Sequence, residues 1–289
     1  MDILVIGGTR FFGIPMVERL TEHGHEVTIA TRGNAPDSFG DRVSRIKLDR
    51  TDPDSVKAAL SGRCFDVIID KVAYCSNDVK NLLDNVKCGK YVLMSTSSVY
   101  ENIGRDTAEE AFGPTAYPLR WCGRADGDYG EVKRQAECAA AQAYPEQKSL
   151  FVRYPVVIGE NDYTGRLRRY AENIASGRPM FIDDLNSRIS FIHEQDAADF
   201  LVFAAENDIC GAVNGCGAGD VSVGEIVSYL ERELGKKAVL SEDGEAMPYN
   251  GYPAFATLST EKARSFGYGF GDIKKAFSIV LKSQICEFL

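Results

Sequence analysis

The 289-residue sequence predicts an α/β fold, with a doubly wound parallel sheet that carries a smaller C-terminal lobe. Two observations support this prediction. An apolar strand, a glycine-containing turn, a helix and a second strand follow one another within residues 1–32. Further apolar strands then alternate with helices as far as residue 159, where the alternation breaks down. Alternation of this kind is typical of a parallel sheet covered by helices on both faces.

The opening strand is predicted at residues 3–6, an apolar run without alternation, which is typical of a strand buried on both faces. A turn follows at residues 7–13, and from about Ile14 the apolar residues recur with helical spacing. This helix is predicted to end near Gly24, and the second strand to occupy residues 27–30. Together these elements form the opening βαβ unit of a dinucleotide-binding fold.

The glycines of the first turn predict a nucleotide site. Gly7 and Gly13 have no Cβ, so backbone N–H groups and the helix N-terminus can approach a pyrophosphate closely. Arg10 stands where the usual motif has its middle glycine, and it either donates to a phosphate or narrows the turn. A tight turn that binds nothing is the alternative. The turn residues assigned to the cofactor are Gly7, Thr9, Arg10, Phe11, Phe12 and Gly13.

The remaining strands are predicted at residues 46–48, 67–69, 91–94, 150–153 and 190–192. Helices are predicted at 52–60, around 79–86, at 129–143, within 162–177, and at 194–207 and 221–234. The dinucleotide-binding domain is predicted at residues 1–160 plus about 187–212, and the small substrate lobe at about 161–186 and 213–289. Because ligands bind beyond the carboxyl ends of parallel strands, five strand-end residues are expected to face one crevice: Gly7, Thr31, Asp49, Ala73 and Thr96.

Composition excludes several function classes. A net charge of −9 disfavours nucleic-acid binding, which needs clustered basic residues to replace counterions. The densest basic group, Arg166, Arg168 and Arg169, is interpreted as one solvated helix face. No apolar run is long enough to span a membrane, and the N-terminus has no basic or long apolar leader. We therefore expect a cytoplasmic protein without membrane contact.

The cysteine and histidine content favours neither disulfides nor a metal. Eight cysteines are present without any CxxC spacing, and they are predicted to be free thiols, buried or partly buried. The three histidines are His23, His25 and His193. His193 precedes Glu194 after an apolar strand, which favours a capping or core-edge residue over a catalytic one. No metal is predicted.

A catalytic group is predicted from a helical pair and a strand-end hydroxyl. Tyr129 and Lys133 are separated by four residues and therefore share one face of a helix. An ammonium beside a phenol favours the phenolate, so Lys133 is expected to lower the pKa of Tyr129 towards neutrality. A tyrosine with such a pKa can act as a general acid or base. Thr96 supplies a hydroxyl at a strand end that faces the expected cofactor.

Over nearly its full length the sequence resembles the extended, epimerase/dehydratase-like branch of the short-chain dehydrogenase/reductase superfamily, whose core is a Rossmann fold. The resemblance rests on the glycine turn, on the segment Ser95-Thr96-Ser97-Ser98-Val99-Tyr100 and on the pair within Tyr129-Gly-Glu-Val-Lys133. Residues 153–159 and 188–198 are similar to later segments of that branch. The turn Gly-Gly-Thr-Arg-Phe also resembles the chloroplast stem-loop RNA-binding proteins, an atypical offshoot.

The resemblance implies a role for each residue of the predicted group. Tyr129 would be the general acid/base, and Lys133 would bind the nicotinamide ribose and keep that tyrosine acidic. Thr96 would hydrogen-bond the substrate oxygen whose carbon exchanges hydride with the nicotinamide. Residues expected along the adenine and ribose are Asp49, Val72, Ala73 and Tyr74.

One departure from the family pattern concerns the cofactor. The acidic residue that normally ends the second strand is replaced by Thr31, and Arg32 follows it. An acid there would hold a ribose 2′-hydroxyl, whereas a guanidinium accommodates a 2′-phosphate. We therefore predict NADP, with NAD as the alternative. The competing interpretation is that Arg32 stacks on the adenine or faces solvent.

Two further departures concern the substrate. Ser97 and Ser98 occupy the positions where sugar-nucleotide 4,6-dehydratases carry Asp-Glu, so elimination of water is disfavoured. Val156 replaces an asparagine common in sugar-nucleotide epimerases, and a valine cannot donate to a diphosphate. Arg188 is either a phosphate or carboxylate partner or a member of a surface ion pair.

These observations predict an NAD(P)-dependent epimerase or reductase acting on a small polar substrate, with a sugar nucleotide among the candidates. A non-catalytic NAD(P)-binding scaffold or an RNA-binding protein is the alternative, and a homodimer is a further option. The residues assigned to substrate contact are Ser97, Ser98, Trp121, Tyr163, Arg166 and Arg188.

Overall fold

The computed structural model of the chain describes residues 1–286 and residue 288. Its strands are β1 (Asp2–Ile6), β2 (Glu26–Thr31), β3 (Ser44–Lys47), β4 (Cys64–Asp70), β5 (Lys87–Thr96), β6 (Ser149–Tyr154), β7 (Val156–Ile158), β8 (Met180–Phe181), β9 (Arg188–Ile189), β10 (Phe191–His193), β11 (Gly211–Asn214), β12 (Val221–Ser222), β13 (Glu245–Ala246) and β14 (Phe255–Ala256). Its α-helices are α1 (Gly13–Glu22), α2 (Pro53–Leu60), α3 (Ser76–Leu83), α4 (Tyr129–Cys138), α5 (Arg166–Ser176), α6 (Glu194–Glu206), α7 (Val223–Leu234), α8 (Glu261–Ser265) and α9 (Ile273–Ile285).

A seven-stranded parallel sheet positions the rest of the molecule. Its strand order is β11-β6-β5-β4-β1-β2-β3, and each neighbouring pair runs parallel. The direction of winding reverses at β1, because β2 and β3 lie on one side of it and β4, β5 and β6 on the other. Ligands of such sheets bind at this reversal, beyond the carboxyl ends of the strands. The doubly wound fold predicted from the sequence is confirmed.

Both faces of the sheet are buried, as the uninterrupted apolar run of β1 predicts. Ile3 and Val5 belong to the apolar cluster that includes α1 and α6, whereas Leu4 and Ile6 belong to the cluster beneath α2, α3 and α4. Alternate side chains of a strand point to opposite faces, so one run of four apolar residues serves two cores. All four are at most 1% exposed.

A separate apolar cluster forms the core of the second lobe. It includes Leu167 of α5, Ile226 of α7 and Phe277 of α9. Between these helices the chain returns to the sheet, where α6 packs on α1 and β11 pairs with β6. The chain returns once more at Ala263 of α8, which belongs to the same cluster as α1. The two cores are therefore connected by several crossings of the chain.

An N-cap residue fixes where the helix that carries the predicted catalytic pair begins. Asp128 accepts a hydrogen bond from the Glu131 backbone N–H at 2.8 Å and caps α4, so Tyr129 becomes its first residue. The sequence predicted one helix over residues 129–143, but α4 ends at Cys138 and a π-helical turn, Ala139–Ala143, follows. The helix changes type within an alanine run, where apolar spacing does not distinguish the two helix types.

The exposure of the cysteines agrees in part with the prediction of buried or partly buried free thiols. All eight cysteines are free. Cys75, Cys122, Cys138 and Cys216 are buried and Cys88 is partly buried, as predicted. Three others are exposed, contrary to the prediction, because they lie at a strand start, in a loop and after the last helix: Cys64, Cys210 and Cys286.

In the described part of the chain, no helix combines the length and apolar character that crossing a bilayer requires.

A buried ion pair attaches the irregular segment 101–128 to the sheet. Arg153 of β6 and Glu137 of α4 are both 0% exposed, and Nη2 lies 2.6 Å from Oε2. The same guanidinium donates to the backbone oxygens of Glu109 at 2.8 Å and Phe112 at 2.9 Å. Loss of either partner would leave an unpaired charge without water around it.

We therefore expect Arg153→Met to lower the free energy of unfolding by about 3–5 kcal/mol, because the Glu137 carboxylate would remain buried and unpaired. Urea denaturation monitored by circular dichroism measures this loss. Arg169→Gln is the matched control, because Arg169 pairs with Glu245 on the surface and its loss is expected to cost less than about 1 kcal/mol. Equal losses in the two variants would contradict the assigned role of the buried pair.

Candidate active site

The glycine turn between β1 and α1 leaves room for a phosphate. Gly7 and Gly8 have φ values of +99° and +100°, a conformation that side chains rarely adopt. A Cβ on Gly13 would lie 2.9 Å from the backbone of Gly8, so α1 begins in direct contact with the turn. Arg10 directs an exposed side chain away from this contact, while its backbone oxygen accepts from Gly13 N–H at 3.1 Å. Gly8 precedes Thr9 in the same turn but was not among the predicted site residues.

A cavity of about 400 Å³ opens between this turn and the ends of β2, β3, β4 and β5. Four of the predicted cofactor residues do not line this cavity: Gly13, Ala73, Tyr129 and Lys133. Predicted cofactor residues that do line it are Gly7, Thr9, Arg10, Phe11, Phe12, Thr31, Arg32, Asp49, Val72 and Tyr74. Lining residues that the sequence analysis missed include Lys71, Arg124, Asn34 and Met94.

The edge of the cavity at β2 and β3 combines opposite charges. The Asp49 carboxylate accepts from the Thr51 hydroxyl at 2.6 Å and from its backbone N–H at 2.9 Å. These hydrogen bonds, followed by the charges of Arg32 and Arg124, lower the pKa of Asp49. Arg32 is exposed. The edge therefore presents an ionised carboxylate beside a free-standing guanidinium.

Arg124 is the most informative residue that was missed. It donates from Nε to Asp78 at 3.0 Å and from Nη2 to the Val72 backbone oxygen at 3.0 Å. Its guanidinium also lies over the Tyr74 ring, 4.7 Å from the centroid. Arg124 comes from the irregular segment 101–128, where no periodicity indicates which residues return to the cavity. Local sequence patterns therefore carried no signal for it.

Tyr129 and Thr96 meet because α4 packs tightly against the end of β5. A Cβ on Gly130 would lie 2.5 Å from the Ser98 backbone oxygen, so only glycine permits this approach. The Thr96 hydroxyl lies near enough to the Tyr129 phenol to donate towards it and so to lower its pKa. The Tyr129 side chain is 49% exposed, and its ring makes an edge-on contact with Tyr74 at 6.2 Å. A phenol and a hydroxyl thus converge in an accessible cleft.

Lys133 lies one turn further along α4 and is 2% exposed. Its Nζ donates to the Ala73 backbone oxygen at 2.8 Å and to the Met94 backbone oxygen at 2.6 Å. Burial lowers its pKa to about 8. Burial also raises the pKa of Tyr129, and the hydrogen bond from Thr96 offsets only part of that effect. The predicted lowering of the Tyr129 pKa is therefore wrong for this structure, because Lys133 is directed towards two carbonyls.

Of the predicted substrate residues, Tyr163 lines the cavity, whereas Ser97 and Ser98 follow the end of β5. Ser98 donates its backbone N–H to the Thr96 hydroxyl at 3.2 Å, and Ser97 begins the same turn. Tyr163 is 71% exposed and touches Phe11 edge-on at 6.2 Å, on the rim of the cavity. The contact of these three residues with substrate stays a prediction.

The other three predicted substrate residues differ in their positions, because only Arg166 lies near Tyr129. Arg166 lies close enough to Tyr129 for its charge to lower the phenol pKa. Arg188 pairs instead with Asp220 and Glu225, so its charge is already neutralised. Trp121 does not line the cavity, and its ring lies 5.6 Å from Lys80 Nζ on the other side of the segment. The surface ion pair is thus the correct interpretation of Arg188.

The histidines lie outside the catalytic cleft. His193 caps α6 by accepting from the Gln195 backbone N–H at 3.3 Å, as predicted. His23 Nδ1 and His25 Nε2 lie 2.6 Å and 2.9 Å from the same carboxylate oxygen of Glu206. This contact joins the end of α1 to the end of α6.

A family model described as the NAD dependent epimerase/dehydratase family matches residues 3–84 and 75–215. The chain belongs to this family. The matched residues include the glycine turn, Thr96, Tyr129 and Lys133. The resemblance inferred from the sequence is confirmed.

Curated relatives of the family are enzymes and a binding protein. The chain is 28% identical over 216 residues to 2'-dehydrokanamycin reductase from Streptomyces kanamyceticus, across 72% of this chain and 59% of that protein. It is 28% identical over 233 residues to 2-alkyl-3-oxoalkanoate reductase from Stenotrophomonas maltophilia, across 71% and 66%. It is 34% identical over 112 residues to the chloroplast stem-loop binding protein of 41 kDa b from Arabidopsis thaliana, across 34% and 30%. Each match therefore spans less than two thirds of the relative's own length.

Solved structures of the family share the whole fold. The UDP-glucose 4-epimerase of Thermus thermophilus, solved with NAD, superposes with a TM-score of 0.70 at 18% identity and covers 99% of both chains. The UDP-glucuronic acid 4-epimerase of Bacillus cereus, also with NAD, gives a TM-score of 0.69 at 18% identity, over 99% of this chain and 97% of that one. The dTDP-glucose 4,6-dehydratase of Bacillus anthracis gives 0.74 at 18% identity, over 98% and 96%.

A pH-dependent stability is expected from Lys71, which lies beneath the glycine turn. Its Nζ is 3.3 Å from the Arg10 backbone oxygen and 3.6 Å from the centroid of the Phe12 ring, and burial lowers its pKa to about 7. The unfolded chain keeps the ordinary lysine pKa, so between about pH 7 and 10 the unfolded state binds more protons. The contribution of Lys71 to the free energy of unfolding therefore rises with pH in this window.

Lys71→Met removes this titration. We expect the difference in unfolding free energy, wild type minus variant, to rise by up to about 1.4 kcal/mol per pH unit above pH 7. Chemical denaturation at several pH values measures it, and Lys57→Met, at an exposed position on α2, is the control. A wild-type curve parallel to that of Lys71→Met would show that Lys71 is not buried as described.

Proposed function

We propose that the chain is an NAD(P)-dependent oxidoreductase or epimerase of the extended short-chain dehydrogenase type. Its reaction would move a hydride between the nicotinamide and a hydroxyl- or carbonyl-bearing carbon of a small polar substrate. One observation carries the proposal. The half-exposed Tyr129 phenol lies near the Thr96 hydroxyl and against Tyr74, which lines the cavity beside the glycine turn, with the Lys133 ammonium one helical turn away.

The described residues suit a dinucleotide. A Cβ on Gly13 would lie 2.9 Å from the Gly8 backbone and one on Gly8 would lie 3.0 Å from Val17, so glycine at both positions lets α1 begin close against the turn. The open cavity and the charged edge at Asp49 and Arg32 extend away from this turn. The turn, the helix N-terminus of α1 and Arg10 would hold the pyrophosphate. The nicotinamide, when bound, supplies or accepts the hydride.

In the proposed reaction, Tyr129 moves the proton. Its phenol would donate to the substrate oxygen in reduction and take the proton back in oxidation, while the Thr96 hydroxyl orients that oxygen. Lys133 has three N–H donors, and two are already bound to Ala73 and Met94. The third is left to bind a ribose hydroxyl. With a pKa of about 8, the amine is largely protonated at pH 7 and can donate to that hydroxyl.

We expect Tyr129→Phe to lower hydride transfer by about 100- to 10,000-fold, because the proton would have no acid or base to carry it. Oxidation of NADPH against a panel of small hydroxyketones, keto acids and sugars measures the rate. Nucleotide binding should be retained, as followed by thermal shift. The control is Tyr144→Phe, whose hydroxyl donates to Asp84 at 2.6 Å outside the cavity. Full activity in Tyr129→Phe would contradict the mechanism.

We further propose NADP as the preferred cofactor, with NAD as the alternative. Arg32 is exposed at the end of β2, where the carboxylate that would hold a 2′-hydroxyl is absent. Its guanidinium suits a 2′-phosphate. The neighbouring Asp49 and the NAD complexes among the solved neighbours support the alternative.

The cofactor preference predicts that NADPH raises the melting temperature more than NADH at equal concentration. Arg32→Gln should weaken NADPH binding by about 10-fold or more and leave NADH binding unchanged, because a charged hydrogen bond to the 2′-phosphate is lost. Isothermal titration measures both affinities. Equal affinities of the wild type for the two nucleotides would rule out the NADP preference.

The substrate proposal favours a small polar ketone or alcohol. Two of the curated relatives are named as reductases, which supports net reduction. The epimerase structures support epimerisation through their fold alone. Val156 and the neutralised Arg188 provide no group for a diphosphate, so a sugar nucleotide is less well supported.

A second candidate function is RNA binding, because the match to the chloroplast stem-loop binding protein reaches 34% identity over 112 residues. The net charge of −9 opposes it. Filter binding with a structured RNA, repeated across salt concentrations, tests this candidate. Tight binding that weakens steeply with salt would favour it over the enzyme.

A further inference from the structure

One tyrosine in the second lobe has a hydroxyl that the fold does not satisfy. Tyr249 is 7% exposed, and its OH has no hydrogen-bond partner in the described part of the chain. Most buried polar groups of proteins are hydrogen-bonded, so each exception calls for an explanation. Its backbone adopts a φ of +76°, which is rare for a residue other than glycine. Strained residues of this kind concentrate at ligand sites.

Aromatic neighbours fix the position of this hydroxyl. The Tyr249 ring stacks on Tyr170 with centroids 6.3 Å apart and an angle of 15°, and it meets Phe191 edge-on at 5.5 Å. Tyr252 contacts its other side, with centroids 6.2 Å apart. Because the ring is held by three others, its hydroxyl is preorganised and cannot rotate away to find solvent.

Arg166 brings a positive charge to the same place. It begins α5 one helical turn before Tyr170, so both residues share the face that meets Tyr249. The guanidinium donates from Nη2 to the Val157 backbone oxygen at 3.4 Å and from Nε to the Thr164 hydroxyl at 3.0 Å. Asp162 lies 4.0 Å away, at the limit of an ion pair.

The charge of Arg166 acts on both sides of the cleft. It lowers the pKa of Tyr129, Tyr249 and Tyr252, although burial raises each of these pKa values overall. Its guanidinium is therefore near enough to all three hydroxyls for its charge to reach them. Arg188, the other predicted anion partner, is excluded because Asp220 and Glu225 already neutralise it.

We propose that Arg166 and the Tyr249 hydroxyl together bind an oxyanion of the substrate. Two N–H donors of a guanidinium and one phenolic O–H match the oxygens of a carboxylate or of a phosphate monoester. The inference rests on the proposed function in one respect, since it places the reacting carbon of an anionic substrate towards Tyr129. It explains how an acidic chain would select a small acid and hold it by the end remote from the hydride.

Anion binding tests the site without knowledge of the substrate. The probes are inorganic phosphate and acetate, each added to the full chain with saturating NADP and compared with sodium chloride at matched ionic strength. We expect either probe to raise the melting temperature of the wild type. Arg166→Gln should abolish the response, and Tyr249→Phe should weaken anion affinity by about 10-fold. A larger response to phosphate indicates a phosphorylated substrate, and a larger response to acetate a carboxylic acid.

Matched controls separate binding from folding. Tyr229→Phe removes a hydroxyl that donates to the Ser278 backbone oxygen at 3.0 Å, so it should destabilise the protein slightly and leave the anion response intact. Tyr249→Phe without anion should melt at or above the wild-type temperature, because its hydroxyl has no partner to lose. An anion response that survives in Arg166→Gln, or a Tyr249→Phe protein that is destabilised without anion, would overturn the proposal.

The same design distinguishes this inference from the proposed function. If NADP and NAD produce no shift, the oxidoreductase proposal fails. An anion response that requires Arg166 but persists in Arg10→Gln would still support the oxyanion site. Once a substrate is known, Tyr249→Phe should raise KM about 10-fold and leave kcat within about twofold, a division that a purely structural residue would not produce.

Discussion

The buried ammonium of Lys133 is the contact on which the site depends. Its two hydrogen bonds join α4 to the backbone after β4 and to the end of β5. An ammonium of this kind is costly to bury unless carbonyl oxygens replace its water. The fold supplies these oxygens only when the helix and the two strand ends are in register. The Tyr129 phenol, four residues earlier, is positioned by the same register.

Charge around the cavity contrasts with the charge of the chain. The protein carries −9 overall, yet basic side chains outnumber the one carboxylate, Asp49, in the cavity lining, and Arg166 adds charge on the opposite lobe. The basic residues of the lining are Arg10, Arg32, Arg50, Lys71 and Arg124. Concave sites lined by one sign of charge concentrate ligands of the opposite sign. The acidic remainder of the surface would repel the same anions. A local reversal of sign would thus favour the nucleotide and the acidic substrate that we propose.

Sequence patterns sufficed for the parts of the site that lie within single elements. The apolar run of β1, the glycine turn and the spacing of Tyr129 and Lys133 are local. Strand β1 formed close to its predicted limits, and the helix of Tyr129 and Lys133 began where predicted but became π-helical after Cys138. Arg124 and Tyr249 could not be predicted from local sequence patterns, because they come from irregular segments whose position depends on packing against distant residues. The pKa of Tyr129 was mispredicted for a related reason. Helical spacing shows that two side chains are neighbours, but the direction of Nζ depends on the carbonyls of other elements.

The repeated crossing of the chain between its two cores has an evolutionary consequence. Helices α5, α7 and α9 belong to one core, and α6, β11 and α8 return to the other between them. Such a lobe cannot be exchanged as a cassette through a single recombination event, because its pieces are scattered along the gene. New specificities in this scaffold would have to arise through substitutions at individual positions, such as those of the aromatic cluster around Tyr249.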